Sequence, residues 1–222
     1  MITVHHLNNS RSQRVLWLLE ELELPYEVKR YERDRKTMLA PASLRAVHPL
    51  GKSPVITDGT LTLAESGVIV EYLIEHYAAG CLAPASGTPA HLRYRYWLHY
   101  AEGSAMPPLL LKLVFDRIET APMPFFIKPI AKAISAKAKS AFIEPQIAQH
   151  LDYMESELGG NDLFAGEAFS GADIQLSFPL EAAAARGGLN ASRPGLMNFL
   201  QRIHARPAYQ RALERGGKYD MG

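Results

Sequence analysis

Apolar and polar positions divide the chain into a strand-rich first part and a longer helical second part. Residues 2–7, ITVHHL, alternate partially and predict a short strand. After the polar Asn8-Asn9-Ser10 turn, Val15, Leu16, Leu18, Leu19 and Leu22 form a broad apolar helix face, with Ser12 as the expected N-cap. Leu24-Pro25 stops that helix, and Tyr26 to Tyr31 alternates as a second strand. A strand, a helix and a strand this close in sequence imply parallel neighbours, since parallel strands need a crossover. From Glu32 to Ala46 the chain is charged and irregular, and Met38, Leu39 and Leu44 predict one weak helix.

The stretch from His48 to Tyr77 carries the densest local signals. Asp58-Gly59 sits between Val55-Ile56-Thr57 and Leu61-Thr62-Leu63, a hairpin pattern. Val68, Ile69, Tyr72, Leu73 and Tyr77 then recur at helical spacing, with Ser66 expected as N-cap. Free N–H groups and a positive dipole end make such a helix start a seat for a carboxylate. Pro54 interrupts a strand edge, where a cis Ser53–Pro54 bond would leave the Ser53 backbone open to an extended peptide. Together these features predict a docking place for a small peptide that carries a carboxylate.

Beyond residue 78 the pattern is helical. The small, Gly- and Pro-containing run AAGCLAPASGTPA reads as a linker. The expected division is an α/β domain over residues 1–78, a linker over 79–89, and an all-helical domain over 90–222. Residues 91–118 predict a long helix broken by Pro107-Pro108. Ile134, Phe142, Ile147, Leu151, Met154 and Leu158 form a stripe that Gly159-Gly160 ends. Phe169-Ser170-Gly171-Ala172-Asp173-Ile174 has the spacing of an acidic capping box with a hydrophobic staple, a folding feature. The fold class expected is therefore βαβαββα followed by helices alone.

Composition narrows the function classes. A net charge of +1 with no basic stripe gives no case for nucleic acid, and no apolar run approaches the roughly 20 residues of a membrane span. Neither a leader nor a membrane anchor is expected, and a cytoplasmic protein is the simplest reading. The one cysteine, Cys81, excludes an internal disulfide and a CxxC pair, and its place in the linker suits a free thiol.

The NNSRSQR turn, HPLGKSPV, AESGVIVEYL and FSGADI, in this order and spacing, resemble the cytosolic glutathione transferase family along essentially the whole chain. The resemblance implies a thioredoxin-like first domain, a homodimer, no metal, and glutathione as co-substrate at the junction of the domains. It also assigns roles. The Ser53 backbone before cis Pro54 pairs with the cysteinyl part of glutathione. Glu65 and Ser66 hold the γ-glutamyl ammonium and carboxylate, and Lys52 reaches the glycyl carboxylate. An acid answers an ammonium, and a hydroxyl with helix N–H groups answers a carboxylate, so the chemistry agrees.

Activation of the thiol needs a donor aimed at sulfur, because a free thiol near pKa 8.5 is mostly protonated at neutral pH. Just after the first strand there is no Tyr or Cys. Counted from Arg14, which matches a family arginine, Ser10 falls on the family's serine position, and Asn9 is the alternative amide donor. His5 and His6 are expected as packing residues of the strand. The resemblance sets the acceptor site against the first long helix of the second domain, with Met106, Leu110 and Phe115 as wall candidates and Phe125 and Phe126 closing over it. Glu102 on that helix would meet the ammonium of glutathione in a partner subunit. The function expected is conjugation of glutathione to a hydrophobic electrophile. The alternatives are glutathione-dependent peroxide or disulfide reduction, and a non-catalytic module of the same fold.

Overall fold

The partial alternation of residues 2–7 becomes β1 (Ile2–Leu7), the strand on which the first domain is assembled. The structure, a computed structural model, describes residues 1–34, 37–217 and 219. β1 runs parallel to β2 (Tyr26–Tyr31) and antiparallel to β3 (Val55–Asp58), which pairs antiparallel with β4 (Leu61–Ala64). The sheet order is β2-β1-β3-β4. The crossover between β1 and β2 is α1 (Ser12–Glu21), whose Val15, Leu16, Leu18 and Leu19 are buried. The weak helix is only α2 (Ala42–Arg45), with Met38 and Leu39 exposed before it. After β4, α3 (Ser66–Tyr77) buries Ile69, Val70, Leu73 and Ile74, while Tyr72 and Tyr77 give their hydroxyls to Asp58.

The helical part contains α4 (Pro89–Tyr100), α5 (Met106–Thr120), α6 (Lys128–Ala138), α7 (Glu144–Leu158), α8 (Gly171–Ala182), α9 (Pro194–His204) and α10 (Pro207–Gly216). No strand follows β4 among the described residues. The polar tail beyond residue 217, Tyr219 excepted, lies outside them.

Pro107-Pro108 does not break its helix as expected. Residues Ala101–Ala105 form one π-helical turn that joins α4 to α5. A proline lacks an N–H and its ring crowds the carbonyl four residues earlier. For Pro107 and Pro108 those carbonyls belong to Gly103 and Ser104, inside the wider turn. Pro145 repeats the arrangement. Its crowded carbonyl, that of Ala141, lies in the π turn Lys139–Ile143 that joins α6 to α7. Widening the turn lets the helix pass a proline without stopping.

One core serves both parts. Trp17 of α1 meets Phe169 and Tyr209 at ring distances of 5.5 and 5.2 Å. The end of α10 is tied to α1 and β2 by Arg211 and Arg215, both of which pair with Glu20. The capping box before α8 forms as its spacing predicts. Asp173, fully buried, accepts the Ser170 backbone N–H at 2.9 Å, the Ser170 hydroxyl at 2.9 Å and the Phe164 N–H at 3.0 Å.

Replacing Asp173 by Ala strands two buried N–H groups and should lower unfolding stability by roughly 2–4 kcal/mol in urea titrations. A change under about 0.5 kcal/mol, the level of an ordinary surface substitution, would show that the box is dispensable.

Candidate functional site

The turn after β1 brings three hydroxyls and a histidine together. Ser10, 4% exposed, has its Oγ 2.7 Å from Ser12 Oγ and 3.3 Å from Ser53 Oγ. Ser53 donates its proton to the His5 carbonyl at 2.9 Å and accepts the Leu7 N–H at 3.3 Å, which fastens the segment before the cis Ser53–Pro54 bond to β1. Ser12 is not the N-cap of α1. Arg11 holds that place, and the Ser12 hydroxyl is instead committed to Ser10 and, at 2.8 Å, to His6 Nδ1. Burial, helped by the Arg30 charge, pushes the His6 imidazole down to about 4, so the ring is neutral at neutral pH. His5 and His6 are packing residues of β1, as expected.

A second group forms around Arg14, whose side chain is 1% exposed. Nη2 donates to Ser66 Oγ at 2.6 Å and to Glu102, and Nη1 donates to the Gln175 carbonyl at 2.6 Å. That carbonyl is available because Pro179, four residues on inside α8, has no N–H to offer it. Glu102 sits in the π turn between α4 and α5 and also takes both carboxylate bonds from Arg11 Nε, at 2.8 and 2.9 Å. Burial raises the Glu102 carboxyl, but Arg14 and Arg11 outweigh it and hold the group below the usual carboxylate range. Among the described residues Glu102 is engaged within its own chain.

Ser66 is not the N-cap of α3 either. Glu65 takes that position with φ 67°, and Ser66 is the first helical residue. The reason is tertiary: Ser66 Oγ accepts from Arg14 at 2.6 Å and from Gln175 Nε2 at 3.3 Å. A hydroxyl has two lone pairs and one proton. With both lone pairs occupied, donation is the one capacity left to Ser66, and it stands beside a guanidinium and at a helix N-terminus. Such a place suits an anion.

The other predicted residues separate. Lys52 and Glu65 are exposed, and Ser53 is half-buried. Asn9 is exposed with φ 48° and lines a groove of about 300 Å³ with Arg30, Tyr31 and Glu32, a groove that Ser53 and Ser66 do not line. Met106 is buried in the core, in one cluster with Ala105 and Leu109. Phe115 is half-buried against that core, and Leu110 is 53% exposed. Phe125 and Phe126 stand exposed between α5 and α6 and meet each other edge-on. Cys81 is exposed and free. Arg11 and Gln175 were missed in sequence. No group of three potential metal ligands and no helix able to cross a membrane occurs among the described residues.

Glu102→Gln should destabilise the fold at neutral pH by about 2 kcal/mol, less than a fully buried pair because Glu102 keeps 31% exposure. A carboxyl held low in the folded state stabilises fully above its unfolded value near 4.3 and loses that stabilisation as pH falls through the folded value. Denaturation followed against pH should therefore show wild type falling more steeply below about pH 4.3 than Glu102→Gln. Parallel curves would refute the pairing.

Comparison with known proteins shows the family. Residues 10–76 match the model of the glutathione S-transferase N-terminal domain, and residues 115–207 match that of the C-terminal domain. The chain is 36% identical over 216 residues to glutathione S-transferase 3 of Schizosaccharomyces pombe, covering 97% of this chain and 88% of that protein. It is 32% identical over 223 residues to glutathione S-transferase 1 of Saccharomyces cerevisiae, covering 97% and 95%. A glutathione S-transferase structure from Actinobacillus pleuropneumoniae superposes with a TM-score of 0.80 at 34% identity, over 100% of this chain and 95% of that one. A sphingomonad enzyme solved with glutathione superposes with a TM-score of 0.73 at 26% identity, over 97% and 98%. A four-stranded sheet joined through one core to helices is thus found in a chain that belongs to the glutathione S-transferase family.

Proposed function

We propose that this glutathione transferase conjugates glutathione to hydrophobic electrophiles, with Ser10 as the donor that stabilises the thiolate. The observation that carries the proposal is Ser66, whose two lone pairs are taken by Arg14 and Gln175, so that its proton is reserved for an anion. The γ-glutamyl carboxylate is that anion, and the exposed Glu65 carboxylate meets the neighbouring ammonium. The Ser53 backbone before cis Pro54 lines up the cysteinyl part, and Lys52 meets the glycyl carboxylate.

Ser10 Oγ lies 3.3 Å from Ser53 Oγ, beside the segment that receives the cysteine. A hydroxyl bonded to sulfur favours the thiolate, each unit of thiol pKa corresponding to about 1.4 kcal/mol. The thiol proton leaves to solvent. The sulfur lone pair then forms a bond to an electrophilic carbon, and the leaving group departs with its electron pair. Proximity and thiolate stabilisation supply the acceleration. The acceptor lies against α5, where Leu110 and Phe115 offer apolar surface and Met106 supports it from behind. The working form is a cytoplasmic homodimer of chains divided at residues 78 and 90.

Asn9, the alternative donor, is supported less well, because it stands on an exposed left-handed turn and lines a different groove. Peroxide or disulfide reduction through Asn9 is the second function, and a pure scaffold that binds no glutathione has no use for the Ser66 arrangement.

Two variants test this with calorimetric binding of glutathione and conjugation of a chloro-dinitroarene. Ser66→Ala should weaken glutathione binding roughly 10- to 100-fold, the value of a hydrogen bond to a charged group, with kcat nearly unchanged. Ser10→Ala should bind glutathione as wild type does and lose roughly 10- to 100-fold in kcat, toward the lower end of what a removed anion donor costs. Binding without conjugation in wild type would move the assignment to reduction and Asn9, and absence of binding would leave the carrying module.

A further inference from the structure

Helix α6 is turned inside out. An amphipathic helix ordinarily sets its apolar stripe against the core. In α6 the buried residue is Ser135, whose hydroxyl has no hydrogen-bond partner, while Ile130 and Ile134 and the preceding Ile127, at helical spacing, are exposed. The chain enters α6 through a turn closed by the Ile127 N–H on the Pro124 carbonyl at 3.0 Å, and both residues inside that turn are phenylalanines. Phe125 is 83% exposed and Phe126 64%, and their rings meet each other edge-on at 5.6 Å. An apolar surface so concentrated marks a place of contact.

Charge decides what the contact is with. Residues 121–143 contain four lysines and no Asp or Glu. Lys139 is spent on Asp116 and Glu119, each at 2.8 Å, whereas Lys128, Lys132 and Lys137 are exposed. A second copy of the chain is a poor occupant, because a two-fold contact sets a patch against itself and would bring lysine against lysine with no acid between. An anionic bilayer fits both features. It takes phenylalanine and isoleucine side chains below its headgroups and lysine ammonium groups at its phosphates, and it demands no complementary shape. Lysine stems lie along apolar surface while their charged ends stay in water, so both kinds of residue can be satisfied on one short helix.

We propose that the tip between α5 and α6, with the first turns of α6, docks on an anionic lipid surface. Phe125, Phe126, Ile127, Ile130 and Ile134 enter the acyl boundary, and Lys128, Lys132 and Lys137 meet the lipid phosphates. No helix among the described residues is long and apolar enough to cross a membrane, so the tip lies on the surface and the attachment is peripheral and reversible. The docking does not depend on which reaction the protein performs. One consequence rests on the conjugation reading: hydrophobic electrophiles dissolve in the same bilayer, and α5, against which the acceptor is placed, runs directly into the tip.

The test is sedimentation of the full chain with vesicles of phosphatidylcholine alone and with about 30 mol% phosphatidylserine added. Wild type should bind the anionic vesicles at least about tenfold more tightly, and salt should remove the preference. Each lysine near an anionic surface is worth roughly fivefold, so Lys128→Gln, Lys132→Gln and Lys137→Gln together should weaken that binding roughly 30- to 100-fold. Phe125→Ser with Phe126→Ser should weaken it by roughly tenfold or more. Trp17 and Trp97 are fully buried, so in a Phe126→Trp protein an emission shift to the blue on anionic vesicles reports the tip itself. Binding that ignores phosphatidylserine, survives the lysine substitutions or leaves that emission unmoved overturns the proposal. Failure of wild type to bind either vesicle also overturns it and leaves the tip to a protein partner. A changed mass in the ultracentrifuge for Phe125→Ser with Phe126→Ser assigns the tip to a second copy instead.

Discussion

The structure depends on one buried cation. The Arg14 guanidinium is taken out of water where the two halves meet, and a charge so placed needs a counter-charge and hydrogen bonds, which its two terminal nitrogens find while Nε has no partner among the described residues. Each of its partners comes from a different element: Ser66 opens α3, Glu102 lies in the turn between α4 and α5, and the Gln175 carbonyl belongs to α8. None of these elements can shift by much without leaving the charge unsatisfied. That requirement joins the sheet domain to the helical one more specifically than the shared apolar core does, since apolar contacts tolerate repacking and a guanidinium fork does not.

Two irregularities in the helical half make those partners available. Pro179 sits inside α8, where a proline ordinarily weakens a helix. Its missing N–H leaves the Gln175 carbonyl without a helical donor, and Arg14 supplies one at 2.6 Å. The π turn Ala101–Ala105 does the same kind of work. It relieves the crowding of Pro107 and Pro108 and it carries Glu102, the counter-charge. Local helix defects in the second half thus become hydrogen-bonding groups for a site in the first half. Defects of this kind concentrate where function needs a group that a regular helix would hide.

Much of the fold was legible because its signals are local. Asp58-Gly59 between β-branched runs specifies the β3–β4 hairpin by turn geometry alone, and Ser170 with Asp173 specifies a helix start by a spacing of three. The site was legible only in part. Ser12 and Ser66 both look like N-caps, because a serine before a helical pattern normally caps it. In the fold both hydroxyls are drawn to tertiary partners, and Arg11 and Glu65 take the cap positions. Nothing periodic links Arg14 to Glu102 or to Gln175, which lie 88 and 161 residues away. The burial of Met106 was hidden because its candidacy came from the family resemblance alone, which does not say which side chains of the helix face inward.

The two hydroxyls that matter most are held differently, and this fits the ligands they would meet. Ser66 has its lone pairs filled and its proton unspent. A carboxylate is charged before it binds, so a donor fixed in advance meets it without rearrangement. The thiol of glutathione is mostly neutral when it arrives and becomes charged only during the reaction. Ser10 Oγ, 2.7 Å from Ser12 Oγ and 3.3 Å from Ser53 Oγ, is a hydroxyl that can accept a thiol S–H first and donate once sulfur ionises. A donor locked toward sulfur would confront the proton of the incoming thiol. At Ser66, where the ligand never changes charge, no such freedom is needed, and the lone pairs can be filled in advance.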